Sequence, residues 1–162
     1  MTQIAGGTSS PAHGSTSPVE VMFAADTASR SLGIELVGHG PGTAVVRMTV
    51  TGAMVNGHAL AHGGYLFLLA DTAFACACNS YGPVTVAAGA DVTFLTSAYA
   101  GDVLTATATE RARHGRSGLY DVTVRRGDEV IAEFRGRSRS IRGTATASDG
   151  RRRRRDDQSD HS

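Results

Sequence analysis

The 162-residue chain contains no lysine and no tryptophan, and only two cysteines. Every basic residue except histidine is an arginine, and the formal net charge is +1, so no overall field draws the chain to nucleic acid or to a membrane. Aromatic residues make up 6% of the sequence, too few for a platform on which bases stack. Cys76 and Cys78 stand two apart in an apolar segment. On a helix such neighbours point in different directions, which argues against a disulfide between them and for two small buried hydrophobes. Free thiols suit a reducing compartment. No apolar run reaches the roughly 18 residues of a membrane span, and no apolar core of a leader follows Met1, so a cytoplasmic protein is expected. The chain also lacks a G-x-S-x-G elbow, a Walker loop and a G-x-G-x-x-G turn after a strand. The serine-hydrolase, nucleotide-hydrolase and dinucleotide-enzyme readings therefore lack their residues.

What is present suits one domain with a real core: 41% of residues are hydrophobic and 19% charged. Residues 1–16 are rich in Gly, Ser, Thr and Ala and read as a disordered arm. Ser17-Pro18-Val19-Glu20 is a capping box with proline at the first helical position, and Gly33 marks the stop. A short strand is expected at Ile34 to Val37, and Thr43 to Val50 alternates, with Ala44, Val46, Met48 and Val50 on one face. A long apolar helix follows and ends near Asn79 to Gly82. Four strands come next, at Val84 to Leu95, Asp102 to Glu110, Leu119 to Arg125 and Glu129 to Ser140. The first is Ala/Val-rich, which suggests burial on both faces. The last places Val130, Ala132 and Phe134 together, opposite Glu133, Arg135, Arg137 and Arg139. Short turns make this half an antiparallel meander. Such a sheet buries one apolar helix only by curling around it, so the fold class is α+β, with a domain over 17–142. Residues 143–162 lose periodicity and carry five arginines at Arg151 to Arg155, followed by Asp156, Asp157 and Asp160. They read as a solvated tail, with a weak contact to an anion or RNA as the other reading.

The segment NGHALAHGGYLFLLADTAFACACN, from Asn56 to Asn79, holds the chemistry. His62-Gly63-Gly64 opens the apolar helix. A helix N-terminus exposes unpaired N–H groups and positive dipole charge, and glycine lets a carbonyl oxygen approach them. The turn is therefore either an oxyanion site or only the entry to a crowded helix. Asp71 is the one carboxylate on the helix, which should be buried on nearly all sides. It is either a structural carboxylate bonded to backbone or arginine, or a general base or nucleophile in a dry pocket. Eight residues separate it from Gly63, about 12 Å along the axis. An aspartate cannot bridge that gap, so if both groups act on one carbon they come from two subunits around a two-fold axis. Asn56 orients a water or substrate group, or caps the loop. His58 and His62 stand at i, i+4, but the helix begins after them and no Glu follows His58, so neither a metal nor another cofactor is expected. His62 is expected to pack at the helix entry and hydrogen-bond the loop.

The run N-G-H-x-x-x-H-G-G, then L-A-D-T-A-F-A-x-A-C-N-S, resembles the hotdog-fold acyl-CoA thioesterases, specifically the PaaI type of phenylacetic acid degradation. Phe94-Leu95, Ala100-Gly101-Asp102, Gly118-Leu119-Tyr120-Asp121 and Phe134-Arg135-Gly136 extend the likeness over about residues 20 to 143. The resemblance implies a hotdog fold, with the sheet wrapped around the central helix, and homodimers joined edge to edge and often paired into tetramers. It implies that the Gly63 N–H polarises a thioester carbonyl and that Asp71 of the facing subunit attacks it or activates water. Asn56, His62 and Gly64 would line the site. The position where some relatives carry a hydroxyl falls on Ala87, and Asp91 on the same strand has no assigned role. The substrate implied is an aryl-acetyl-CoA, either phenylacetyl-CoA or a hydroxylated form. CoA phosphates call for arginine, and Arg113, Arg116, Arg137 and Arg139 are candidates. The alternative is a regulatory module of the same fold that binds acyl-CoA without turnover. A hotdog hydratase acting on enoyl-CoA would want an Asp/His pair in a different motif, which is absent.

Overall fold

The computed structural model describes residues 16–144, and side chains as far as Ile141. The expected disordered arm, apart from Thr16, and the arginine-rich tail from residue 145 onward lie outside the described residues.

Helix α1 spans Pro18–Ala25. The Ser17 hydroxyl accepts from the Glu20 N–H at 3.1 Å, and Glu20 accepts from the Ser17 N–H at 2.7 Å, which is the capping box read from the sequence. The expected single helix up to Gly33 is broken. Asp26 adopts an extended conformation and starts a second helix, α2, at Thr27–Ser31. Its carboxylate accepts the Ser29 N–H and so replaces the missing helical acceptor. Gly33 then turns the chain with φ at +70°, where a Cβ is disfavoured.

Six strands follow or flank the long helix: β1 Glu35–Gly40, β2 Thr43–Thr49, β3 Pro83–Phe94, β4 Val103–His114, β5 Ser117–Arg126 and β6 Glu129–Thr144. A 3-10 turn at Gly52–Met54, which periodicity did not reveal, and helix α3 at Gly63–Cys78 lie between β2 and β3. The sheet order is β1-β2-β4-β5-β6-β3, antiparallel throughout. It curls around α3, whose Leu66, Leu69, Ala70, Ala73, Phe74, Cys76 and Ala77 enter the core. Ala44, Val46, Met48, Leu104, Ala106, Ala108, Tyr120, Val122 and Val124 close over them from the sheet. Period-two alternation put these residues on one face, and burial of apolar area keeps them there.

Three expectations about the sheet are corrected. Only β4, β5 and β6 form a meander, because β2 already occupies the outer side of β4 and β3 pairs with β6 instead. The segment from Leu95 to Asp102 carries the chain back across, held by Gly101 N–H to Val50 O and Val50 N–H to Asp102 O. As an edge strand, β3 is largely exposed in the single chain rather than buried on both faces. On β6, a bulge opposite Val124 and Arg125 turns Ile131 inward beside Ala132, so Val130 leaves the core face.

Gly136 on β6 shows how tightly the helix is seated. A Cβ there would lie 2.8 Å from the Phe74 ring. That ring meets Tyr120 edge-on at 5.5 Å and Phe134 at 5.9 Å between centroids. The outer face of the sheet is charged: Arg135 pairs with Asp121 and Arg137 with Asp91 across neighbouring strands. No helix among the described residues is long and apolar enough to cross a membrane.

Candidate active site

The loop before α3 is held from several sides. The Asn56 side-chain oxygen accepts the N–H groups of His58 at 2.9 Å and Leu60 at 3.2 Å. These bonds pin Ala59 in the left-handed region, with φ at 60°, a conformation costing a non-glycine residue about 1–2 kcal/mol. The Ala61 N–H donates to Ala98 O and the His62 N–H to Met54 O, which ties the helix entry to both neighbouring segments.

His62 is the N-cap of α3. Its Nδ1 accepts the Gly64 N–H at 3.0 Å, which leaves the ring proton on Nε2. The ring also stands edge-on to Tyr65. Gly64 has thus spent its donor on the cap. The Gly63 N–H donates to no acceptor among the described residues, so it is the unpaired donor at the positive end of the helix. Nothing but hydrogen fits on Gly63 without displacement, since a Cβ would approach the Phe94 ring to 3.0 Å. Asn56, Leu60, Ala61, Gly63, Leu66 and Phe94 line a cleft of about 240 Å³, closed by the strip from Leu95 to Ala98. Arg126 braces that strip by donating to Asp102 at 2.5 Å and to Ser97 O at 3.4 Å.

Asp71 lies on the same helix, eight residues from Gly63 and about 12 Å along its axis. It makes no hydrogen bond or ion pair among the described residues. Structural carboxylates normally do, so the structural reading of Asp71 lacks its backbone or arginine partner among the described residues. Burial pushes its carboxyl above the ordinary range, and the nearby Asp26 carboxylate adds to that. The helix is not buried all round, as its sequence suggested. Gly64, Phe67, Leu68, Asp71 and Ala75 form a partly open stripe, along which Phe67 meets Phe134 of β6 edge-on at 5.3 Å between centroids. The two cysteines do not join the site. Both are buried, and burial raises each thiol to about 12, too high for a nucleophile at neutral pH.

The arginines are elsewhere. Arg113 stacks on the Tyr81 ring at 3.7 Å and reaches Glu110 at 3.9 Å. Arg116 is exposed beside it, at the rim of a narrow pocket that includes Cys78. Both therefore sit at the C-terminal end of α3, roughly 22 Å from Gly63. Arg137 is bound to Asp91 on the outer face of the sheet, which gives Asp91 a structural partner, and Arg139 donates to Ser117 at 3.2 Å. One chain thus gathers Asn56, His62, Gly63 and Gly64, and holds Asp71 and the arginines apart. Sequence reasoning did not place Phe94 and the Leu95 to Ala98 strip at Gly63. They are 31 or more residues away along the chain, and only the β3–β6 pairing brings them back.

Comparison with known proteins places the fold in a family. A family model described as the thioesterase superfamily matches residues 58–133. The acyl-coenzyme A thioesterase PaaI of Escherichia coli (strain K12) is 48% identical over 126 residues, covering 77% of this chain and 90% of the relative. A putative esterase of Deinococcus radiodurans is 42% identical over 108 residues, 65% of this chain and 73% of that protein. Among solved structures, the E. coli PaaI protein from the phenylacetic acid degradation operon superposes with a TM-score of 0.77 at 45% identity, over 78% of this chain and 93% of that one. A point mutant of the phenylacetic acid degradation protein PaaI from Thermus thermophilus gives 0.70 at 34% identity, over 72% and 100%.

Proposed function

Because the chain belongs to the thioesterase superfamily, beside PaaI-type acyl-CoA thioesterases, we propose that it hydrolyses aryl-acetyl-CoA at a site shared by two subunits. The observation that carries the reading is the pairing of an unspent donor, the Gly63 N–H, with an unpartnered, half-buried carboxylate, Asp71, on one rigid helix that keeps them about 12 Å apart.

The thioester oxygen sits at the Gly63 N–H, where the helix dipole favours the negative charge that develops on it. Asp71 of the facing subunit then acts in one of two ways. As a base it takes a proton from water while the water oxygen bonds to the carbonyl carbon. As a nucleophile it bonds to that carbon itself, and water later opens the mixed anhydride. In either case the C–S bond breaks, the CoA thiolate leaves and is protonated, and the acyl group departs as a carboxylate. A carboxyl raised by burial holds a proton more readily than a solvated one, which suits the base role near neutral pH.

Two antiparallel α3 helices that set Asp71 opposite the partner's Gly63 place the two-fold axis midway, beside Phe67, which is 36% exposed in the single chain. The same register brings the C-terminal end of one α3 toward the partner's Asn56. Arg113 and Arg116 travel with that end and serve the CoA phosphates there; Arg137, tied to Asp91, would join them only by releasing that partner. The open edge of β3, with Val86 and Phe94 exposed, is the strand that pairs across the axis. Leu60, Leu66, Phe94 and Leu95 give the acyl cleft its apolar walls, which favours an aryl group over a charged one. The assembly is a homodimer or a dimer of such dimers.

Release of free thiol across a panel of phenylacetyl-, hydroxyphenylacetyl-, benzoyl- and straight-chain acyl-CoA substrates tests the substrate. Mixing tests the shared site. Subunits carrying Asp71→Asn and subunits carrying Gly63→Pro are each inactive alone, but a mixed dimer has one site with both groups intact. Random co-assembly should restore about a quarter of wild-type activity. Activity no greater than the sum of the two separate variants rejects the shared site.

A further inference from the structure

Among the described residues, the turn of α3 that carries Asp71 is anchored from outside by one run of side chains. Thr72, 5% exposed, approaches Ser29 on α2 with 2.8 Å between hydroxyl oxygens. Ser29, 3% exposed, approaches the Asp26 carboxylate at 2.6 Å, and Asp26 also accepts the Ser29 N–H at 3.0 Å. Thr72 lies within 2.8 Å of the Leu68 carbonyl as well. Among the described residues, Thr72 is the only residue of α3 whose side chain bonds beyond the helix and its caps.

Proton counting gives this chain a direction. Three close contacts share two hydroxyl protons, one from Ser29 and one from Thr72. An ionised Asp26 can only accept, so the Ser29 proton goes to it. Ser29 then offers a lone pair, and the Thr72 proton is shared between it and the Leu68 carbonyl, each 2.8 Å away. The directed run Thr72 to Ser29 to Asp26 ends on a carboxylate, which strengthens both bonds. Asp71, one residue from Thr72, makes no hydrogen bond of its own among the described residues, so its place depends on this turn.

We propose that Asp26 is a positioning residue for Asp71, acting through Ser29 and Thr72, and that its charge helps set the pH at which the reaction turns on. The proposal rests on the catalytic reading of Asp71. The electrostatic half follows from what faces that carboxylate. From the α1–α2 junction comes Asp26. On α3 itself the thiols of Cys76 and Cys78 stay neutral. Glu20 of α1 is held at Ser17 and His39, and Arg30 of α2 donates to Ala24 O. On the strands, Glu35 and Arg47 pair with each other, as do Asp91 with Arg137 and Asp121 with Arg135, while Glu110 takes the Tyr120 hydroxyl. Arg111 lies beside Asp121, Glu133 accepts from Thr123, Arg125 donates to Asp128 O, and Arg126 holds Asp102 and Glu129. Among the described residues of one subunit, Asp26 is the charged group that adds to the effect of burial on Asp71.

The test measures kcat and KM against pH in the full-length protein, by thiol release from phenylacetyl-CoA or whichever thioester of the panel turns over fastest. Asp26→Asn keeps an N-cap acceptor for Ser29, so the fold is retained. It removes the like charge and reverses the hydroxyl chain, and the acid limb of kcat should move to lower pH with KM changed by less than about twofold. Thr72→Val should lower kcat roughly tenfold with KM preserved, and Thr72→Ser, which restores the hydroxyl, should recover it to within about threefold. An acid limb that overlays wild type in Asp26→Asn overturns the proposal, as does an equal loss in Thr72→Val and Thr72→Ser. Asp71→Asn separates the two levels. Its inactivity alongside unaltered Asp26 and Thr72 variants sinks only the positioning role, whereas full turnover by Asp71→Asn removes the catalytic reading beneath it.

Discussion

Replacing Gly63 by proline would remove one backbone hydrogen-bond donor and little else from the fold. Gly63 is the first residue of α3, where the N–H has no helical acceptor and proline is favoured. The preceding residue, His62, already has φ at −65° and ψ at 130°, the conformation that a residue before proline prefers. The steric cost is a Cβ 3.0 Å from the Phe94 ring, relieved by a shift of a few tenths of an ångström and made equally by alanine at this position. The helix cap survives, because it uses the Gly64 N–H. Stability should therefore change by less than about 1 kcal/mol. Catalysis should change far more. A donor aimed at a developing oxyanion contributes about 2.7–4 kcal/mol, so kcat should fall roughly a hundred- to thousandfold. Gly63→Ala is the control: it adds the same Cβ, keeps the N–H, and should lose less than about tenfold. The assay is initial-rate thiol release, with circular dichroism and a melting curve for each variant. Equal kcat values for a folded Gly63→Pro and Gly63→Ala would refute the oxyanion role.

Asp71→Asn should lower hydrolysis by roughly a hundred- to ten-thousandfold while the oligomer persists, as size-exclusion chromatography and rate measurements would show. The same variant should melt higher than wild type at pH 7. The folded protein raises the Asp71 pKa, so wild-type stability falls as pH rises from the unfolded carboxyl pKa through the folded one and stays lower above it. The gain should vanish below about pH 3.5, where both states are protonated, and a gain that persists there would contradict the assignment. Gly136→Ala puts a methyl 2.8 Å from the Phe74 ring, which is 1% exposed and cannot withdraw, so it should cost about 1–3 kcal/mol and lower the urea midpoint without changing the slope. Cys76 and Cys78, with thiols near 12, should resist a disulfide reagent at pH 8 until the protein is unfolded; rapid labelling of the native protein would contradict their burial.

The features legible in the sequence were those set by neighbours along the chain. The Ser17–Glu20 capping box and the inward row of Ala44, Val46, Met48 and Val50 each follow from spacings of two to four residues. The His62-Gly63-Gly64 entry was legible for the same reason, although not that the His62 ring would take the Gly64 N–H and leave Gly63 unspent. What failed were statements about neighbours across the sheet. The composition of β3 is that of a buried strand, yet it lies at an edge of the single chain's sheet, because a strand's own apolar content does not fix its place in the strand order. Similarly, the β6 bulge at Ile131 shifts register by one residue, which alternation alone cannot anticipate.

From its sequence alone, then, this protein is an α+β chain with one apolar helix, a glycine turn at the helix entry and one costly carboxylate. The 1.5 Å rise of a helix keeps Gly63 and Asp71 apart whatever the rest of the fold does. The tertiary structure decided what surrounds each of them. Pairing of β3 with β6 brought Phe94 to within contact of Gly63, and docking of α2 on α3 brought Asp26 and Ser29 to the turn beside Asp71. Local spacing is written in the backbone's own geometry. Long-range juxtaposition is chosen by which surfaces can be buried together, and that choice belongs to the whole chain.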